Sequence, residues 1–130
     1  MENQLRIALL EWLRSAPYPI NTLNLIDERG TSRSTLPWLE LVSSASTEWG
    51  TKDRQGREVR VALELNTRDD DPATATALVA TIEARVASLP SQQGGLRVVS
   101  NRFLRARTER RTNNIRATLM EFRFRLLAAT

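Results

Sequence analysis

Nine arginines stand after residue 90, at Arg97, Arg102, Arg105, Arg107, Arg110, Arg111, Arg116, Arg123 and Arg125, and only Glu109 and Glu121 oppose them. A guanidinium stays charged at every pH a protein meets and presents a planar fork of donors. It holds carboxylates or phosphates and does not shuttle protons, so the chemistry of this segment is anion pairing. Residues 1–90 carry 10 basic and 13 acidic side chains, net −3, while residues 91–130 are net +7, and the whole chain is +4. Such asymmetry points to a polyanionic or acidic protein partner. An equal reading is that arginines alternate along solvated strands of a chain whose only lysine is Lys52, a bias that codon usage alone produces.

Carboxylates offer little else. Asp69-Asp70-Asp71 and the pair Glu48 and Asp53 are the clusters available for acid/base work, and both fall where helix caps and loops call for acids. The three aspartates lack the glycine-punctuated spacing of a divalent-metal loop. Histidine and cysteine are both absent, which removes imidazole catalysis, the Ser-His-Asp triad, thiolate metal sites and disulfides. Gly94-Gly95 lacks the Gly-Lys-Ser/Thr ending of a phosphate loop. Trp12, Trp38 and Trp49 read as core or interface anchors. The expectation is a protein without catalysis, metal or cofactor, working by binding or assembly.

The elements that position these side chains follow from pattern. Leu5, Leu9 and Trp12, widened by Ile7, Leu10 and Leu13, predict a helix from about Glu2 to Arg14, stopped by Pro17 and Pro19. Residues 20–35 form a connector with room for one short strand or helical turn. Leu36-Pro37-Trp38 opens an extended run, and Val59, Val61, Leu63 and Leu65 alternate with polar or small residues in the clearest strand of the chain. Between them the glycine-bounded loop Gly50–Gly56 predicts a long hairpin tip. Asp71-Pro72 starts a second helix, reaching about Leu89 before Pro90. After the Gln92–Gly95 turn comes a second extended run, a break at Arg110–Asn114, and a final element from Ile115 to Leu127.

That last element fits two readings. Ile115, Leu119, Phe122 and Leu126 suit a helix; Phe122, Phe124 and Leu126 alternating with Arg123 and Arg125 suit a strand. The strand is preferred, with a β-bulge near Leu119-Met120 to absorb a change of apolar parity. The order is then α-β-β-α-β-β: an α+β domain over residues 1–130, an antiparallel four-stranded sheet with two helices on one face. With 41% apolar and 5% aromatic residues, one modest core is expected. No run reaches the ~20 apolar residues of a membrane span. The start carries no basic leader of a signal peptide, so the chain is expected to act in the cytoplasm or in something assembled there.

This arrangement resembles the tail terminator, or tail completion, proteins of long-tailed phages, in the form found in prophage and gene-transfer-agent clusters. The resemblance spans nearly the whole chain and is carried by the Leu36-Pro37-Trp38 strand opening, the alanine-rich helix after Asp71-Pro72, the arginine-bearing long strand and the closing Phe122-Arg123-Phe124-Arg125. It implies a structural role at the head–tail junction of a virion: a homo-hexameric ring that caps the tail tube, stops its growth and docks the head connector, with DNA passing through the lumen. Lys52, Asp53 and Arg54 in one loop, and Arg102, Arg105, Arg107, Arg110, Arg111, Asn113 and Asn114 in the closing hairpin, are the candidate interface or lumen residues. Two other functions fit the sequence: a head-closure or stopper protein, which predicts mostly strand, and a small nucleic-acid-binding protein, which predicts steeply salt-dependent DNA binding.

Overall fold

The structure is a computed structural model and describes residues 1–30 and 34–129. Helix α1 runs Glu2–Arg14, with an acid in its first turn and a base in its last, as the helix dipole favours. Leu5, Leu9 and Leu13 are fully buried along it. Ile7 does not join that face and stays 59% exposed. Helix α2 runs Pro72–Ala87, two residues short of its expected end. The Asp71 carboxylate accepts the Thr74 N–H at 3.3 Å, so the three-aspartate run ends in a helix cap.

The strands are β1 (Ile26–Glu28), β2 (Trp38–Glu48), β3 (Gly56–Arg68), β4 (Gln92–Gln93), β5 (Leu96–Arg111) and β6 (Ile115–Ala128). They form one six-stranded sheet in the order β1-β2-β3-β6-β5-β4, curled into a half-barrel. This corrects the expected antiparallel four-stranded sheet. The connector turns once as a 3-10 helix at Ile20–Thr22 and then adds β1, which runs parallel to β2 and makes the sheet mixed. The turn before β5 folds back to give β4, which pairs Gln92 and Gln93 with Arg97 and Leu96. Both additions are too short to show a period of two, and both are held at an edge by the backbone.

Leu39 and Leu41 of β2, Val59 to Leu65 at alternate positions of β3, Leu96 and Val98 of β5, and Met120, Phe122, Phe124 and Leu126 of β6 pack with Leu5, Leu9, Leu13, Leu78, Ile82 and Val86 into a single core. Both helices therefore cover the same face of the sheet. The bulge expected in the last strand is not there: β6 pairs with β3 without interruption from Ile115 to Leu127. The apolar parity changes because Leu119 belongs to the other face of the sheet, where it is only half-buried. The register shifts lie instead in β5, at Val99 and Leu104, and in β2 at Val42.

Candidate functional site

Side chains alternate across a strand, so the residues between the core positions point away from the helices. On β3 these are Glu58, Arg60, Ala62, Glu64 and Asn66; on β6, Ala117, Leu119, Glu121, Arg123 and Arg125; on β5, by register, Arg102, Arg105, Arg107, Glu109 and Arg111. This helix-free face carries most of the arginine ladder. Within it, Glu40 lies directly opposite Glu64. Facing carboxylates repel, and Arg29, one residue past β1, bridges them: its Nε sits 3.1 Å from Glu40 and its terminal nitrogen 3.0 Å from Glu64. From the far side Arg111 donates to both Glu64 oxygens, at 2.8 and 3.1 Å, and also to Glu109 at 2.9 Å.

Glu64 is 5% exposed although no helix covers it. Burial alone pushes its carboxyl up, and is the largest single influence. The Arg111 hydrogen bonds and charge, the Arg29 charge and a hydrogen bond from Asn66 together outweigh it and hold the carboxyl below its ordinary value. Glu121 is likewise held low, first by its hydrogen bonds from Arg105, at 2.8 and 3.3 Å. Glu58 serves Arg125 at 3.1 Å and lies 3.8 Å from Arg123. Trp49 lies under the Arg125 guanidinium at 5.4 Å, and Trp12 under that of Arg85 at 3.5 Å, so both indoles serve as cation platforms.

The residues singled out from sequence fall into four places. Arg102, Arg105, Arg107 and Arg111 share the helix-free face. Arg110 projects to the helix side and pairs with Asp69 at 3.3 Å. Asn113 and Asn114 form the β5–β6 turn, both with positive φ (64° and 60°), a conformation asparagine tolerates better than most residues. Lys52, Asp53 and Arg54 lie on the β2–β3 loop, at the end of the sheet where Gly56 faces Leu127. That loop closes tightly: the Thr51 N–H donates to the Arg54 carbonyl at 2.9 Å, and a Cβ on Gly50 would stand 2.6 Å from the same oxygen. The 14 residues of β6 separate the loop from the turn, about 40 Å at strand rise.

Arg29, Arg60, Glu64 and Arg123 were not singled out as site residues. The charges at 60 and 64, set between the apolar residues Val59, Val61, Leu63 and Leu65, were the available signal for two of them. Arg29 had none, because it acts through a three-residue strand. Among the described residues no group of three acidic side chains is arranged to hold a metal ion, and no helix is long and apolar enough to cross a membrane.

The profile of the tail completion protein gp17 family matches residues 7–128. The chain belongs to that family. It is thus a structural protein of phage-type tails, in agreement with the resemblance drawn from its sequence. Over 98% of this chain and 97% of the other, the tail completion fold described here superposes on a solved chain from the virion of a native gene transfer agent particle, with a TM-score of 0.83 and 18% identity. A second solved chain, 14% identical, superposes with a TM-score of 0.56 over 100% of this chain and 96% of its own. At such identities both likenesses concern the fold. No curated protein sequence matches.

Proposed function

We propose that the chain is a tail terminator: it assembles as a homo-hexameric ring on the last ring of a tail tube, stops polymerisation and gives the head connector its docking surface. The family match across residues 7–128 carries the reading. The layout of the molecule supports it. The Gly50–Gly56 loop and the Arg105–Asn114 segment reach opposite ends of the sheet, which suits a subunit that meets one neighbour above and another below. In this reading the ring sits at the head–tail junction of the particle, is built in the host cytoplasm, and DNA passes through its lumen. A head-to-tail ring needs two unlike surfaces on each subunit, and the two ends of the sheet differ in chemistry, with Lys52, Asp53 and Arg54 at one and Asn113 and Asn114 at the other.

The test is to add purified protein to tail tubes that are still growing and to image them by negative stain. Six-fold rings on one tube end, with tube length arrested, are expected. Tubes that keep lengthening beside free monomer would end this reading.

A further inference from the structure

We infer that the helix-free face binds the phosphodiester backbone of duplex DNA, through a line of three arginines that crosses three strands. Arg60 on β3 lies directly opposite Arg123 on β6, and Arg123 directly opposite Arg102 on β5. At ordinary strand spacing the three Cα atoms fall within about 10 Å. Like charges placed opposite one another destabilise a sheet, so this row needs anions. The protein does not provide enough of them. Glu58 is committed to Arg125 at 3.1 Å and reaches Arg123 only at 3.8 Å, and Glu121 is held in two hydrogen bonds by Arg105. Arg60 and Arg102 are exposed and make no ion pair among the described residues, and the Arg123 Nε is buried without a hydrogen-bond partner there.

The chemistry of the face selects the occupant. A protein partner is anchored by apolar or aromatic side chains at the centre of the contact. Among the described residues the exposed large hydrophobics are Ile7, Tyr18, Val99 and Phe103; Ile7 and Tyr18 lie outside the sheet, Phe103 packs edge-on against Phe122 of the core face, and Val99 lies at a bulge. Single-stranded nucleic acid needs aromatic platforms for its bases; the indoles on this face, Trp38 and Trp49, are half-buried, Trp38 hydrogen-bonded to Glu40 and Trp49 beneath the Arg125 guanidinium, so neither offers an open ring to a base. Guanidinium forks without an exposed aromatic neighbour suit duplex phosphates, taken without regard to sequence. The inference rests on the ring reading only for the presence of DNA; the binding belongs to the single chain.

The test measures affinity for a random-sequence 20-base-pair duplex across a salt series. The variants are R60S/R102S and, with the same loss of charge on the helix side, R14S/R57S; circular dichroism checks that each is folded. Each phosphate contact contributes about 0.9 to the slope of log affinity against log salt. The R60S/R102S slope is therefore expected to fall by about 2, with R14S/R57S keeping the wild-type slope. Equal losses in the two variants, or none in R60S/R102S, would overturn the assignment. So would a wild-type protein that ignores the duplex and binds poly-glutamate, which would give the face to an acidic protein. A chain that binds duplex through the row yet never caps tubes would retain this inference and end the ring reading, and the converse result would separate them the other way.

Discussion

At the scale of the residue, Glu64 is a buried charge held from two sides. It is a carboxylate in the middle of a sheet face, opposite Glu40, clamped from two sides by Arg29 and Arg111. Removing it leaves Arg29 with Glu40 alone and Arg111 with Glu109 alone, each deprived of its buried carboxylate. Breaking a fully buried pair costs about 3–5 kcal/mol; because both arginines are partly exposed, Glu64→Ala is expected to cost about 2 kcal/mol, read as a lower urea midpoint at unchanged m-value. The pH dependence has a definite sign. The folded carboxyl titrates below its ordinary 4.5, so the unfolded chain takes up the proton first as pH falls. The stability Glu64 contributes is full above the unfolded value and disappears as pH drops through the folded one. Glu64→Gln should flatten the acid limb of a stability–pH profile below about pH 4.5; an unchanged limb would assign it to other carboxylates.

At the scale of the element, the register of β6 makes the sharpest prediction. Leu119 and Met120 are neighbours in sequence, but the uninterrupted ladder puts them on opposite faces. Leu119→Lys is expected to stay within about 1 kcal/mol of wild type, whereas Met120→Lys buries an unpaired charge and should cost more than about 4 kcal/mol or prevent folding. Thermal melts of the pair decide it, and similar losses would restore a bulge at that point. The cap of α2 is a smaller matter: Asp71→Ala should cost about 1 kcal/mol, visible as faster amide exchange in the first turn of that helix. Legibility differed among the elements for physical reasons. α1, α2 and the four long strands announce themselves because each repeats its apolar period several times. β1 and β4 have three and two residues, too few for any period, and exist because longer neighbours offer them an edge. The parity change near Leu119 predicted a bulge where there is none, since an apolar residue on the open face produces the same signal, and the bulges at Val42, Val99 and Leu104 left no such mark in the sequence. The arginine ladder could be read from the sequence as a ladder. That Arg60 and Arg102 flank Arg123 depends on β3 and β5 both pairing with β6, which spacing along the chain does not reveal.

At the scale of the whole molecule, the candidate residues other than Arg110 belong to two ends and one face. Lys52, Asp53 and Arg54 mark one end; Asn113 and Asn114 mark the other; the arginine row lies between them. If the two ends meet different neighbours, they should fail separately. On the ring reading proposed above, Lys52→Glu/Arg54→Glu and Asn113→Ala/Asn114→Ala are each expected to abolish one of two activities, capping of tubes or joining to heads, while ring formation persists. Negative-stain imaging of tube ends and an in vitro head-joining assay would record both. Loss of both activities from either variant alone would place the two contacts on one surface.

The bridge from Arg29 to Glu40 and Glu64 has a consequence for motion. A three-residue parallel strand at a sheet edge would ordinarily fray with almost no free-energy penalty. Here the Arg29 N–H donates to the Leu41 carbonyl at 3.0 Å while its side chain neutralises two facing carboxylates. Peeling β1 from the sheet would leave the two facing carboxylates unbridged, Glu64 with Arg111 alone and Glu40 with only the Trp38 indole N–H. Opening of this edge is thereby tied to the middle of the sheet, and the Arg29 amide should exchange with solvent far more slowly than its place next to a chain connector would suggest.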